Sequence, residues 1–291
     1  MKQSLKLAAA AAIFLVGAGT APAQTPARAS AKAPARLEGK PNLNGIWQTM
    51  GGANWNVEPH SAAPAPVASN MLGAIGAIPA GLGVVEGGEI PYLPAAIALR
   101  DKNRKSAPTN DPEAACYLPG IPRASYMDHP FQIVQGGANS DMLFVYEYHS
   151  ANRAIEMKPV EVPPIDTWMG TSYGAWEGDT LKVVTLAQGP GDVKLPGGKM
   201  EPGVTWLDRS GNYLTSTATV TERFTPDGAD RLRYEVTIED PSVYSRPWKI
   251  SMPLYRRMEP NAQLLDFNCV PFSEELLYGD LLAEKDKYPR K

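Results

Sequence analysis

The sequence predicts a mainly β fold: an antiparallel, lipocalin-like barrel with one short helix and long N-terminal loops. Three observations predict it. Apolar and polar residues alternate with a period of two along several segments, the pattern of strands with one buried face. Short turns rich in Gly, Asp and Asn separate those segments. A strand–helix–strand rhythm, a phosphate-cradling Gly loop and a repeat of about 20 to 50 residues are missing, which disfavours nucleotide folds and solenoids. Consecutive strands with one apolar face each must be covered or closed to protect their edges, and a barrel does both.

The first strand is expected at about 44 to 50, around Gly45-Ile46-Trp47. Up to about Ile90 the chain is rich in Gly, Ala and Pro, including Met71-Leu72-Gly73-Ala74-Ile75-Gly76, and reads as irregular covering structure. Tyr92 to Lys105 reads as the helix, with Pro94 in its first turn and Arg100, Lys102, Arg104 and Lys105 toward its end. Cys116 through Arg123 is a proline-fixed loop leading into a strand at Phe131 to Gln135. A turn at Gly136 to Asn139 leads to a strand over Met142 to Met157, with Phe144, Tyr146 and Tyr148 on one face and Leu143, Val145, Glu147 and His149 on the other. Thr171 to Thr185 is a hairpin around Glu177-Gly178-Asp179, and Thr215 to Ile238 is another around Pro226-Asp227-Gly228. Trp248 to Leu254 adds a strand to that meander.

Met1 to Ala23 has the charged, apolar and small-residue order of a signal peptide, closing on Ala21-Pro22-Ala23. Its apolar run is short for a bilayer span, which needs roughly 20 residues, and no later segment approaches that length. Residues 24 to 40, mostly Ala, Pro, Thr, Arg and Lys, read as a flexible tether. Residues 41 to 291 are expected to form a single β-barrel domain in the periplasm. The formal charge is −3, and losing Lys2 and Lys6 with the signal peptide takes it to −5. That balance disfavours nucleic acid and anionic lipid as partners, since both call for a basic surface, although a locally basic pocket stays open.

Cys116 and Cys269 are the two cysteines. Export favours a bridge between them, stabilising by about 4 to 5 kcal/mol on loop entropy less any strain. Two separate buried thiols are the alternative. Their positions exclude a CxxC redox pair and their number a Cys-rich metal site.

The chain resembles a family of secreted bacterial proteins without a settled activity. The resemblance rests on Leu43 to Gln48, Cys116 to Arg123, Pro130 to Ile133, Thr167-Trp168-Met169-Gly170, Gly174 to Thr180, Trp206-Leu207-Asp208, Thr221-Glu222-Arg223-Phe224 and Val236 to Trp248. Relatives often carry a His and a Glu just before the Thr221-Glu222-Arg223 strand, where this chain has Leu214 and Ser216. A site built on those groups in relatives is altered here. The Gly-x-Trp opening is similar to the first strand of lipocalin-like barrels.

Candidate catalytic residues are His149, His129, Glu147 and Asp208. Glu147 and His149, two apart on one strand face, have the spacing of a base and its orienting partner; a solvated face ending in a salt bridge explains them equally. His129 stands at the mouth of a strand near Arg123 and Tyr126, where a proline-held loop suits either a site or a purely structural join. Asp208 could reach over a barrel mouth as a base or simply cap a turn. Candidate substrate-binding residues are Arg123 and Arg153 for an anionic group, and Trp168, Ser172, Trp176 and Tyr148 for a flat ring. Trp168, Gly170, Ser172, Gly174 and Trp176 share a strand parity, so two indoles would flank a floor of small residues; core tryptophans at a barrel bend give the same letters. Glu222 and Arg223 point to opposite faces, so one is expected inside and paired. His60, His129 and His149 lack metal-ligand spacing, and no metal or cofactor is expected. Gly170-Thr171-Ser172-Tyr173-Gly174 matches a nucleophile elbow in letters but lies in a strand. The expected partner is a small hydrophobic or aromatic molecule, carried or transformed by cofactor-free acid/base chemistry of the lyase, isomerase or hydratase type.

Overall fold

The computed structural model describes residues 32–64, 77–161, 163–194, 200–271 and 273. The signal-peptide segment, the tether from 24 to 31 and Met71 to Gly76 lie outside the described residues. Nine strands close into a barrel: β1 (Gly45–Thr49), β2 (Phe131–Gln135), β3 (Met142–Tyr146), β4 (Asn152–Glu156), β5 (Thr171–Glu177), β6 (Thr180–Leu186), β7 (Thr219–Pro226), β8 (Arg231–Glu239) and β9 (Trp248–Arg256). Chain neighbours are sheet neighbours throughout, and β9 returns to β1. This is the expected lipocalin-like barrel, antiparallel at eight of its nine seams, with nine strands in place of the eight of lipocalins.

An odd strand number has a topological consequence. If every seam of a closed sheet were antiparallel, strand directions would alternate around the ring, which nine strands cannot do. One seam must be parallel, and it is β4–β5, where Ile155 pairs with Ser172 and Glu156 with Tyr173. A parallel pair needs a long crossover. Residues 157–170 provide it, carrying the chain back along the barrel.

Alternation fills the lumen. Trp47, Phe131, Phe144, Tyr146, Leu181, Val183, Phe224, Tyr234, Val236 and Ile250 are all buried at inward positions. The alternation predicted for β8 and β9 puts Leu232, Tyr234, Val236, Ile238, Ile250 and Met252 inside as expected. Gly174 holds an inward position because a Cβ there would sit 2.9 Å from the Ile155 and Met157 side chains at the parallel seam.

The helix α1 (Pro94–Asn110) starts with Pro at N1, and Asp111 before Pro112 is extended and ends it. Ala96 and Ala107 face the core, and Asn103 donates to the Gly211 carbonyl. Gly211, at φ +84°, is required there: a Cβ would lie 2.5 Å from the Arg104 nitrogen. Residues 84–86 add backbone bonds to β9 beyond the reach of β1, covering that strand's free edge.

Two departures from expectation concern boundaries. Arg36–Leu37 pairs with Lys40–Pro41 as a small hairpin, and Arg36 reaches Asp179 while Lys40 bonds the Gly178 carbonyl. Residues 36–40 of the stretch expected as tether are thus held in a paired hairpin. Met142 to Met157 is not one strand but two, β3 and β4, joined by a 3-10 turn at Tyr148–Ser150.

Candidate functional site

The registers sort the barrel's connections. One end carries only short links, 136–141, 178–179 and 227–230. The opposite end carries 50–130, 147–151, 187–218 and 240–247, which include α1 and most candidate residues. Most of the side chains that could do chemistry therefore sit at one rim of a filled lumen.

The β2–β3 register builds the most promising pair. Phe131 lies opposite Tyr146, and the Glu147 amide bonds the Pro130 carbonyl at 3.0 Å, so the ladder continues one step past both strands. His129 and Glu147 are thereby brought side by side, with His129 Nδ1 3.3 Å from Glu147 Oε1. With the carboxylate oxygen as acceptor, Nδ1–H donates. The other carboxylate oxygen accepts the Leu265 backbone N–H at 2.9 Å. Tyr148 and Phe267 wall the imidazole, at ring-centre distances of 5.8 and 4.7 Å. The Glu147 side chain is 9% exposed and His129 30%, so the acid is sheltered and the imidazole reachable.

His149, expected as the partner of Glu147 on a strand face, is not. The chain must turn between β3 and β4, and His149 and Ser150 take left-handed backbone, φ 56° and 49°, to do so. His149 is exposed, with its ring centre 6.1 Å from that of the neighbouring Tyr148. Tyr148 is held by bonds from its hydroxyl to the Glu113 and Tyr117 carbonyls, and Tyr117 stacks on Trp168 at 4.8 Å. Burial, then the Glu113 charge, pushes the Tyr148 phenol up. His129, Tyr148, Phe267, Tyr117 and Trp168 thus form one linked aromatic cluster. Beside it, Cys116 and Cys269 are bridged, with Cα atoms 5.8 Å apart.

Arg123 is not an open anion clamp. It is 1% exposed and spends its donors on Asn54 at 2.9 Å, on both Asp111 oxygens at 2.7 and 2.8 Å, and on Glu113 at 2.5 Å. Burial disfavours its charge, but Asp111 and Glu113 outweigh that and hold it protonated. Burial likewise pushes Glu113 up, yet Arg123 and Arg209 pull it down to about 2. Asp208 is fully buried and clamps loops: it accepts from the Val57, Ser210 and Asn212 amides and from Asn212 Nδ2. Desolvation pushes it to about 6 against those bonds. With four donors and no exposure it serves the turn reading, not that of a base over the mouth.

Arg153 lies inside the barrel. It pairs with Glu222 and donates to Ser172 at 2.8 Å and Thr185 at 2.6 Å, while Tyr234 donates to Glu222 at 2.7 Å. Glu222 is thus the inward, paired member of Glu222-Arg223, as expected. Ser172 belongs to this network and not to a ligand floor. Trp176 does point inward, but at the short-link end, where its Nε1 donates to the Ala138 carbonyl and Lys40 lies over the ring. Trp168 precedes β5 and is held by Tyr117, so the two indoles have different partners and do not sandwich a shared floor.

Among the described residues, no three of His, Cys, Asp or Glu converge as a metal site. No helix there is long and apolar enough to cross a membrane. Sequence reading missed Phe267, which no strand pattern contains. It also paired Glu147 along the chain instead of across the hairpin. His129 was a candidate by residue type, and the signal that could have paired it with Glu147 was the register implied by the 136–141 turn. Comparisons of the chain with protein-family models, with curated proteins and with solved structures find no match.

Proposed function

We propose that the protein is an exported, periplasmic barrel that binds a small apolar or aromatic molecule at its loop-bearing rim and transforms it by cofactor-free acid/base chemistry. One observation carries this reading: the reachable imidazole of His129, oriented through Nδ1 by the sheltered carboxylate of Glu147. Fixing Nδ1 as donor leaves Nε2 as the proton acceptor, the division of labour of a base and its orienter. Tyr148, Phe267, Tyr117 and Trp168 offer ring faces and edges for a flat ligand. An imidazole can take a proton at one ring nitrogen and return it, as elimination, isomerisation or hydration requires.

The filled lumen favours the rim over the interior as the place where ligand is met. The bridged cysteines fit an oxidising compartment, as does the N-terminal leader pattern.

Native mass spectrometry of the protein recovered from its own compartment tests the reading first, by identifying a co-purifying small molecule. Wild-type protein should convert that molecule, while His129→Ala should bind it with little loss and leave it unchanged. Binding by both without product would make the protein a carrier. Failure of every small molecule to bind would overturn both readings.

A further inference from the structure

Residues 257–271 leave β9 and cross to the loop-bearing rim without forming a helix or strand. At the start, the Arg257 amide bonds the Ile46 carbonyl at 2.8 Å. At the far end three attachments lie close together. The Leu265 amide bonds Glu147 Oε2, the Phe267 ring meets His129 edge-on at 4.7 Å and Tyr148 at 5.0 Å, and Cys269 is bridged to Cys116. Leu265 itself points outward, with 73% of its surface exposed. Its side chain anchors nothing; its N–H does.

We propose that this segment is a disulfide-latched strap that positions the His129–Glu147 pair, so that the redox state of Cys116–Cys269 sets the pair's geometry. A carboxylate held at one oxygen can rotate about its stem. Held at both, by His129 Nδ1–H and the Leu265 amide, it fixes the imidazole plane, and the Phe267 edge limits its tilt. The latch matters because one charge-assisted bond and two ring contacts do not offset the backbone entropy of ordering the strap. The bridge closes a loop of sequence separation 153, which confines the strap near the rim before any weak contact forms. Reduction by a dithiol donor breaks the S–S bond: two electrons and two protons pass to Cys116 and Cys269, and the donor leaves as its own disulfide. The strap then frees the second carboxylate oxygen and withdraws the Phe267 wall. The latch and strap stand on geometry alone; their consequence for turnover rests on the acid/base reading above.

The test follows the His129 imidazole resonances and limited proteolysis of the full chain, oxidised and after reduction with dithiothreitol. Reduction should raise cleavage within 257–271 at least about tenfold, the signature of local opening, with the far-UV circular dichroism of the barrel unchanged. The His129 resonances should move, and Leu265→Pro, which deletes the N–H, should move them the same way with the bridge intact. Leu265→Ala, which keeps the N–H, should retain the wild-type positions. Phe267→Ala is a second variant, expected to shift His129 without loss of the backbone bond. An equally protected strap after reduction, or unmoved His129 resonances in both Leu265→Pro and Phe267→Ala, would overturn the proposal. If the strap releases but His129→Ala turns over the co-purified ligand like wild type, the acid/base reading falls and the strap stands. If His129→Ala is inactive but the reduced protein keeps full turnover, redox control of activity falls alone.

Discussion

Two arginines are equally buried, Arg153 and Arg123, each 3% exposed or less, yet they hold the molecule in different ways. Among the described residues, the partners of Arg153 stand on barrel strands: Tyr146 on β3, Ser172 on β5, Thr185 on β6 and Glu222 on β7. It stands on β4, so its side chain reaches across the parallel β4–β5 seam, the one seam with just two paired positions described. Arg123 has partners only in loops and turns, Asn54, Asp111 and Glu113, and through Glu113 it is linked to Arg209. The first is a staple of the barrel wall, with a single carboxylate. The second is a hub that ties the covering loops together, with two. The number of carboxylates decides what a substitution leaves behind.

The largest expected effect follows from that count. Glu222→Ala leaves Arg153 as an uncompensated charge in the lumen, and should cost about 3 to 5 kcal/mol in denaturant unfolding. Replacing both, Arg153→Met with Glu222→Leu, should recover most of the loss, because the costly state is the unpaired charge. If Glu222→Ala unfolds like wild type, the staple is not one.

The next effect is a pH dependence that belongs to the loop hub. The Asp208 pKa is raised by burial from 3.8 to about 6, so the folded state holds the proton more tightly than the unfolded one. The penalty of burying its charge is present above about 6 and relieved as pH falls toward 4. Stability should therefore rise over that window by something on the order of 3 kcal/mol. Glu113 works in the opposite sense. Held at about 2 from 4.5, it contributes stability above 4.5 that is lost as pH falls toward 2. Thermal melts should thus pass through a maximum near pH 4 to 5, and Asp208→Asn should reduce the rise between 6 and 4, to which the raised Asp111 contributes in the same sense.

Asp111→Ala ranks third. Arg123 keeps Glu113 and Asn54, so a loss of about 1 to 3 kcal/mol is expected, below that of Glu222→Ala. Hydrogen exchange should report it in the loops around Asn54 and Cys116 and not in β7 and β8. Equal losses at Asp111 and Glu222 would erase the distinction between hub and staple.

The barrel was legible in the sequence because its signal is local. A period of two in β8 and β9, and the Glu177-Gly178-Asp179 turn, specify inward residues without any long-range information. The parallel seam was not, since β4 is short and its partner lies beyond the 157–170 crossover. The turn at His149 was hidden for a related reason. Nothing in Tyr146-Glu147-Tyr148-His149 interrupts the alternation, and only the need to bring Asn152 opposite Val145 forces left-handed backbone there. His129, Glu147 and Tyr148 were legible as residue types and misassigned as a geometry, because a strand reading pairs neighbours two apart while a hairpin pairs them across. Phe267 and the Leu265 amide lie in a segment whose position is set by a disulfide and not by a pattern.

The smallest perturbation, a weakly bound fragment, gives the most direct test of the central claim that the rim and not the lumen is the working site. A panel of small aromatic and apolar compounds is titrated into the isotopically labelled protein, and the His129 imidazole, Trp168 indole and lumen methyl resonances are followed together. Binding members should shift His129 and Trp168 and leave the methyls of Leu181, Val183, Val236 and Ile250 in place. Shifts confined to those lumen methyls, with His129 unmoved, would contradict it.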